Sequence, residues 1–265
     1  MNLQARVDRY KRRGFQEFES EILVLIEESA VALFTSFPDH FILFGGTTLV
    51  LFYDSPRLSR DLDLLVSPGP LPKAEDVEIV VRTSIQPLAE IFGLGQLEFQ
   101  EHIANPDFVK LWVLANQKPI YSIDLTKIGG NALETQIVKK TIADAPEKTV
   151  LTPNINYLLF QKCETFLSRR NVKARDAFDI HHLLSRGAKL DKTLRPHLED
   201  FIVMNELDKE SIESRIEAVT PKLCTVELRP VLPLALFEEL EKETFKAIRQ
   251  SLRTLFSDWL SEGGR

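Results

Sequence analysis

Two aspartates separated by one residue, Asp61 and Asp63, are the side chains whose type and spacing point most directly to chemistry. They lie in the run Asp61 to Val66, whose alternation predicts a β-strand. Because successive side chains of a strand point to opposite faces, both carboxylates share one face, and Leu62 and Leu64 lie on the other. Mg²⁺ binds one or two carboxylates and keeps its other positions for water and substrate phosphates, so the pair suits this ion.

A solvated strand edge is the plainer interpretation of a lone Asp-x-Asp, but a glycine turn upstream weighs against it. The apolar run Phe41 to Phe44 has strand length, and Gly45-Gly46 ends it with two residues that lack a Cβ, so the backbone can approach a ligand closely. From Thr47 the chain has the length of about two helical turns, and N–H groups at a helix start favour anions. The spacing predicts a phosphate-binding turn beside the carboxylates.

The segment that joins the turn to the carboxylates resembles a known family. Gly45 to Leu49, followed by Arg57 to Asp63, is similar to the signature of the AbiEii and MenT nucleotidyltransferase toxins of bacterial toxin–antitoxin systems, within the polymerase-β-like superfamily. The resemblance implies a nucleotide-binding turn and a metal pair. Its nucleotide-binding candidates are Gly45, Gly46, Thr47, Arg57, Ser59 and Lys162, and its metal ligands are Asp61 and Asp63, with Mg²⁺ or Mn²⁺ as cofactor and an NTP as substrate.

A second segment, Lys162 followed by a basic loop and Arg175 to Asp179, is similar to the Lys…Arg-Asp-x-x-Asp arrangement of the same family. The resemblance implies that Lys162 acts as a point charge on triphosphate oxygens and that Asp176 holds this lysine or orients the substrate. Asp179 follows one helical turn later and can share its face. Which acid contacts the site stays open, as does the role of Arg175. The plainer interpretation is a capping acid with an interhelical salt bridge.

Asp124 lies in a third candidate segment, the predicted strand Ile120 to Thr126. Alternation places it on one face with Ser122 and Thr126, away from the apolar side chains. The superfamily often places a third carboxylate beside its metal pair, which implies a general base toward the attacking hydroxyl or a ligand of a second metal. A solvated or hydrogen-bonded strand acid is the alternative.

The predicted fold class is α+β. An α/β-type nucleotidyltransferase lobe with a mixed sheet is expected over residues 1–150, and a mainly helical lobe over 151–265 completes the active site. Apolar spacing predicts further strands and helices in both lobes. The strands are Gln96 to Ile103 and Val109 to Ala115, and the helices are Phe15 to Phe34, Ala74 to Phe92, one that starts at Thr152-Pro153, Ala174 to Leu184, and one long helix from Leu234 to Leu260.

The composition limits the classes of partner that this protein is expected to bind. The 265 residues are 44% hydrophobic and 27% charged, with a net charge of −6, which argues against a protein that coats nucleic acid indiscriminately. The basic residues of the first thirteen positions are expected mainly as a solvated helix face, with RNA or partner contact as the minor alternative. Cys163 and Cys224 lack metal-ligand spacing, which favours free thiols in the cytoplasm. No secretory signal or membrane-spanning run is visible.

The function predicted from these segments is Mg²⁺-dependent transfer of a nucleoside monophosphate from an NTP to a hydroxyl, with release of pyrophosphate. In the resembling toxins the acceptor can be the 3′ end of tRNA, and a cognate antitoxin is an expected partner. Transfer to a protein or to a small molecule such as an aminoglycoside is an alternative. A non-catalytic nucleotide-binding or partner-binding module and a hydrolytic nuclease are the remaining ones.

Overall fold

The computed structural model describes residues 2–260, apart from residues 39, 67–69, 128–135 and 144 and the side chains of 104 and 145–147. The chain folds as two units, Met1–Pro153 and Asn154–Arg265. Helices and strands mix in the first unit, and the second contains the helices that follow Pro153. This is the predicted α+β class.

The first unit contains four helices and seven strands in its described part. In chain order they are α1 (Leu3–Lys11), α2 (Glu17–Ser36), β1 (Phe41–Phe44), α3 (Gly45–Phe52), β2 (Asp61–Val66), α4 (Ala74–Ile91), β3 (Leu97–Asn105), β4 (Phe108–Ala115), β5 (Lys118–Lys127), β6 (Ile137–Ile142) and β7 (Ala145–Pro153).

Five of these strands form one mixed sheet in the order β1-β2-β5-β4-β3. Strand β2 pairs with β5 in parallel, and the other neighbours are antiparallel. Leu62 and Leu64 on β2, together with Ile123 and Leu125 on β5, are fully buried in the core that α2 and α4 cover. The polar alternate positions of β2 and β5 therefore lie on the opposite face, as the period of two requires.

The turn between β4 and β5 is shorter than the four residues between the predicted strands Val109 to Ala115 and Ile120 to Thr126. Asn116 and Gln117 both have positive φ values, 51° and 62°, which is typical of a two-residue type I′ hairpin turn. Lys118 and Pro119 already belong to β5. The pairing of β4 with β5 shifts its register between Val113 and Leu114.

The basic N-terminal helix is only partly the solvated face that was predicted. Arg6 pairs with Glu27 and Glu28 of α2, and Arg9 pairs with Glu27, whose side chain is only 2% exposed. Tyr10 donates to the same carboxylate at 2.6 Å. The prediction is wrong for these arginines, because their charge neutralises a buried glutamate.

Arg13 also binds within the fold, whereas its two preceding neighbours are exposed. Its guanidinium donates to the carbonyl oxygens of Val50, at 2.8 Å, and Ser55, at 2.9 Å. Lys11 and Arg12 are exposed. The N-terminal basic residues are thus divided between structural and solvent-exposed positions.

A two-stranded antiparallel sheet of β6 and β7 occupies most of the segment that sequence patterns left without an element. Strand β7 ends at Pro153, so the helix predicted to start at Thr152-Pro153 begins later, at Ile155. Asn154 is its N-cap, and its side chain accepts from the Tyr157 backbone N–H at 2.9 Å. Thr152 is therefore a strand residue, and Asn154 performs the capping.

The described part of the second unit contains eight helices. They are α5 (Ile155–Ser168), α6 (Ala174–Ser185), α7 (Leu194–Met204), α8 (Lys209–Glu217), α9 (Pro221–Leu228), α10 (Leu234–Lys242), α11 (Lys246–Leu255) and α12 (Ser257–Leu260). The single long helix predicted from Leu234 is wrong. Thr244 and Phe245 have positive φ values of 52° and 55°, which no α-helix accommodates, and so they end one helix before the next begins.

The two cysteines are free and buried, as predicted. Burial raises the pKa of the Cys224 thiol to about 11, which makes it a packing residue rather than a nucleophile. Within the described residues, no helix is both long enough and apolar enough to cross a membrane.

Candidate active site

The turn between β1 and α3 brings the backbone of Gly45 against the side chain of Asp63. Phe44 pairs with Asp63 across the two strands, so the chain leaves β1 beside this carboxylate. Gly45 has a φ of +76°, and a Cβ at this position would collide with the carboxylate, whose Cγ would lie 2.8 Å away. Only glycine meets both conditions without strain. The predicted turn and the predicted carboxylate are thus in contact.

Gly46 performs the same role toward the loop that follows α3. A Cβ there would lie 2.6 Å from Oγ of Ser59 and 2.7 Å from Nη2 of Arg57. Both loop side chains are buried, and Arg57 Nη1 also donates to the Leu58 carbonyl at 3.2 Å. The structure therefore gathers the predicted nucleotide-binding residues of this loop around the turn.

Thr47 was predicted to bind nucleotide, but its hydroxyl makes a hydrogen bond within the fold. Its side chain is fully buried, and the hydroxyl donates to the backbone carbonyl of Asp61 at 2.6 Å. This bond ties the start of α3 to the start of β2. The first-turn N–H groups of a helix have no intrahelical acceptors, so it is the backbone of the turn that offers donors to an anion.

Asp61, Asp63 and Asp124 lie on one face of two parallel neighbouring strands. In the register, Asp61 pairs with Ser122, and Asp63 pairs with Asp124. The Ser122 hydroxyl lies 2.9 Å from Oδ1 of Asp61 and 2.8 Å from Oδ1 of Asp124. Asp124 therefore faces the predicted metal pair and is linked to it through a buried hydroxyl.

Lys110 on β4 completes this row of polar side chains. It pairs with Asp124 across the strands, and its ammonium donates to both carboxylate oxygens, at 3.0 and 2.8 Å. The Lys110 and Asp124 side chains are only 17% and 15% exposed. An ion pair shielded from solvent to this degree is stronger than one on the surface.

Lys110 and Ser122 were not among the predicted site residues. Alternation along β4 already sets Lys110 and Trp112 apart from the buried Val109, Leu111 and Val113. That signal identifies a polar face, but only the strand register shows which acid the lysine meets.

The donor set on β2 fits a single hard divalent cation. Asp61 and Asp63 present carboxylate oxygens on one face, and Mg²⁺ needs no more than one or two protein carboxylates where substrate phosphates supply further ligands. In the part of the chain that the structure describes, no group of three or more His, Cys, Asp or Glu side chains is arranged to hold a metal ion.

The second predicted constellation lies within the helical unit. Lys162 on α5 contacts both acids of α6, with its Nζ 2.7 Å from Oδ2 of Asp179 and 3.7 Å from Oδ1 of Asp176. Arg169, in the loop after α5, lies 2.7 Å from Oδ2 of Asp176. Asp179 is fully buried and Asp176 nearly so. Two cations and two anions are thus gathered at the start of α6.

The start of α6 is fixed from another helix as well. Glu227 of α9 accepts from the Ala174 backbone N–H at 2.8 Å and from Lys173 Nζ at 3.1 Å. An acceptor here satisfies a helix N-terminal donor and complements the helix dipole. Arg175 is exposed, so it is not part of the buried cluster.

This chain was compared with two solved structures of similar length. The crystal structure of a protein from H. pylori assigned as a nucleotidyltransferase matches 97% of this chain and 98% of that chain, with a TM-score of 0.50 and 16% sequence identity. MenT4, a nucleotidyltransferase toxin from Mycobacterium tuberculosis H37Rv, gives a TM-score of 0.49 over 100% of this chain and 96% of that chain, at 14% identity. The first likeness shows a shared fold.

The sequence itself identifies the family. A family model described as nucleotidyl transferase AbiEii toxin, type IV toxin–antitoxin system, matches residues 31–262. The chain belongs to this AbiEii family and is a nucleotidyltransferase. No curated protein matches it in sequence.

Proposed function

We propose that this nucleotidyltransferase moves a nucleoside monophosphate from an NTP to the 3′ hydroxyl of an RNA, with Mg²⁺ as cofactor. The observation that carries the proposal is the contact between the Gly45 backbone and Asp63, with Asp61 on the same strand face. A phosphate at the turn and a cation on the carboxylates would be neighbours there, which is what metal-dependent nucleotidyl transfer needs.

The chemistry is an in-line displacement at the α-phosphorus. The acceptor oxygen forms a bond to phosphorus while the bond to the bridging α–β oxygen breaks; the acceptor proton passes to water, and pyrophosphate leaves. Mg²⁺, when bound, supplies charge neutralisation for the attacking and leaving oxygens. Gly45 and Gly46 let the backbone donors approach the phosphates, and Arg57 with Ser59 lines the same turn.

Lys162 is proposed as the cation that the helical unit contributes to the triphosphate. Its ammonium has three donors, and it lies 2.7 Å from Asp179 and 3.7 Å from Asp176. Two buried carboxylates would hold the flexible lysine stem in one place and so lower the entropic cost of using it. In this proposal both acids position Lys162 rather than contact the reacting phosphorus.

The RNA acceptor is proposed from family membership together with the exposed basic residues. Arg6, Arg9 and Arg13 are occupied inside the fold. Arg170 and Arg175, beside the Lys162 cluster, are exposed. Exposed arginines at this location suit phosphates of an RNA end. The toxin–antitoxin description of the family also makes a cognate antitoxin protein a proposed partner.

Labelled nucleotides test the proposal. The full chain is incubated with each of the four α-³²P NTPs and Mg²⁺, in separate reactions with total tRNA, with cellular protein and with an aminoglycoside. We expect label in tRNA, extended at its 3′ end, together with free pyrophosphate. Asp61→Asn keeps the size of the side chain and removes its charge, so label should fall by about 10³-fold in this matched control.

Several outcomes would contradict the proposal. Label in the protein or the aminoglycoside alone would keep the reaction type but replace the acceptor. Shortened RNA without incorporation would indicate a nuclease. Failure to bind any NTP in the presence of Mg²⁺ would contradict nucleotidyl transfer at this site.

A further inference from the structure

Asp124 has an arrangement that neither of its predicted roles explains. It faces the metal pair, yet both of its carboxylate oxygens accept from the Lys110 ammonium and one also lies at hydrogen-bond distance from Ser122. A general base needs an oxygen that is open to the acceptor proton. A ligand of a second metal needs an oxygen open to that cation. Here both oxygens already accept from an ammonium, so a second cation or a transferred proton arriving there would meet a like charge.

We propose that the Lys110 ammonium takes the place of a second metal ion, so that the site works with one divalent cation, held by Asp61 and Asp63. This inference rests on the proposed function and defines its metal requirement. Lys110 neutralises Asp124 permanently, whereas a second Mg²⁺ would have to be recruited with each substrate.

The first support is the placement of the pair. Lys110 and Asp124 are direct cross-strand partners, and directly opposite residues of an antiparallel pair have their Cβ atoms about 4.5–5.5 Å apart. The ammonium reaches both oxygens, at 3.0 and 2.8 Å. Both side chains are more than four-fifths buried, so water screens their attraction only weakly.

The second support is that Lys110 is held in place from another direction. Its Nζ lies 4.7 Å from the centroid of the Trp112 ring, which is on the same face of β4. The negative face of an indole ring attracts a cation placed over it. The lysine is thus anchored between an acid and an aromatic ring, as a resident charge should be.

The third support is the single proton of the Ser122 hydroxyl. The hydroxyl lies within reach of both Asp61 and Asp124, but it donates only one hydrogen at a time. Because Lys110 satisfies Asp124, the Ser122 proton can serve Asp61 until a cation binds there and can then turn to Asp124. The row from Lys110 to Asp61 therefore accommodates one ion without leaving a buried acceptor unsatisfied.

Counting bound metal tests the inference directly. Mn²⁺ binding to the full chain is followed by electron paramagnetic resonance, with each of the four α,β-methylene NTPs as non-reacting nucleotides. We expect one protein-dependent Mn²⁺ per wild-type complex. Lys110→Met, which keeps the length of the stem and exposes Asp124, should bind two. Lys110→Arg keeps the charge and should bind one.

Asp124→Asn provides a second measurement that does not depend on the folding of Lys110→Met. If Asp124 is not a ligand, this variant keeps one Mn²⁺, and its affinity changes less than the tenfold or greater loss expected for a lost metal ligand or its support. Lys110→Met combined with Asp124→Asn should return the count from two to one.

The outcomes separate this inference from the proposed function. Two Mn²⁺ ions in the wild-type complex, or loss of Mn²⁺ binding in Asp124→Asn, would overturn the single-metal inference and leave nucleotidyl transfer intact. A count of one that stays at one in a folded Lys110→Met would also overturn it. Asp61→Asn, which lacks one proposed metal ligand, is the control for lost Mn²⁺ binding. If the wild-type protein also bound neither nucleotide nor Mn²⁺, this result would contradict the proposed function.

Discussion

The acids of the sheet and the acids of the helical unit have opposite electrostatic arrangements. On the sheet, Asp61, Asp63 and Asp124 share a face, with Lys110 bound to Asp124 and a hydroxyl beside Asp61. In the helical unit, two carboxylates meet two cations. The row of sheet acids has a lysine at one end and a hydroxyl between Asp61 and Asp124, whereas each helical acid contacts a cation.

Because of this difference, we expect substitutions of aspartates in the two regions to have different effects on function and stability. Removing a carboxylate from the sheet relieves repulsion and removes a metal ligand, so function should be lost while the fold is kept. Removing Asp179 from the helical cluster takes the nearest carboxylate away from a buried ammonium, which is strongly destabilising. Asp61 and Asp179 represent the two cases most clearly.

The largest expected effect on stability comes from Asp179→Asn. Asp179 is fully buried, 2.7 Å from Lys162 Nζ, and breaking such a pair from one side costs about 3–5 kcal/mol. We expect the helical unit to unfold at lower urea concentration, measured by circular dichroism. Asp61→Asn should change the free energy of unfolding by less than about 1 kcal/mol, within the range of a partly exposed position. Equal destabilisation by both variants would remove the contrast between the two regions.

Gly45→Ala should disturb the acids of the sheet. Its Cβ would collide with the Asp63 carboxylate at a positive φ, and a displacement of about 1 Å at a reacting centre can lower activity about 10²-fold. Nucleotide incorporation measures this effect.

Gly93→Ala is the matched control for Gly45→Ala. Gly93 has a similar φ of +72°, but nothing lies within 4 Å of its added Cβ. It should therefore carry the backbone strain of about 1–2 kcal/mol and keep the activity. If both variants lose activity equally, strain alone explains the loss, and the contact with Asp63 is not needed.

Local sequence patterns were enough to predict those parts of the site that depend on a single strand or turn. Period two placed Asp61 and Asp63 on one face, and the glycines marked the turn beside them. The apolar pattern after Leu234 could not show the break at Thr244 and Phe245, since the same residues pack from two shorter helices. Thr152 failed as a cap because β7 uses it in pairing with β6.

The contact between Lys110 and Asp124 depends on a strand irregularity. Ala115 pairs with Lys118 beside the two-residue turn, and a regular hairpin would then bring Lys110 opposite Ile123. The register shift between Val113 and Leu114 moves the pairing by one residue and brings Lys110 opposite Asp124 instead. A slip of one residue exchanges the two faces of a strand, and nothing in the residue types around Val113 announces it.

Glu164 on α5 offers the smallest and most specific test of charge balance in the helical unit. Burial raises the pKa of its carboxyl from the ordinary 4.5 to about 7. The folded state therefore binds a proton that the unfolded chain has released between these values, so stability falls as pH rises from about 4.5 to 7 and levels off above. Because solvent reaches this half-buried group, the change should be only about 1 kcal/mol.

Glu164→Gln should abolish this pH dependence, so the difference in unfolding free energy between variant and wild type should grow across this window. A difference that stays constant from pH 4.5 to 8 would mean that a cation compensates this acid, as Lys162 does for Asp179.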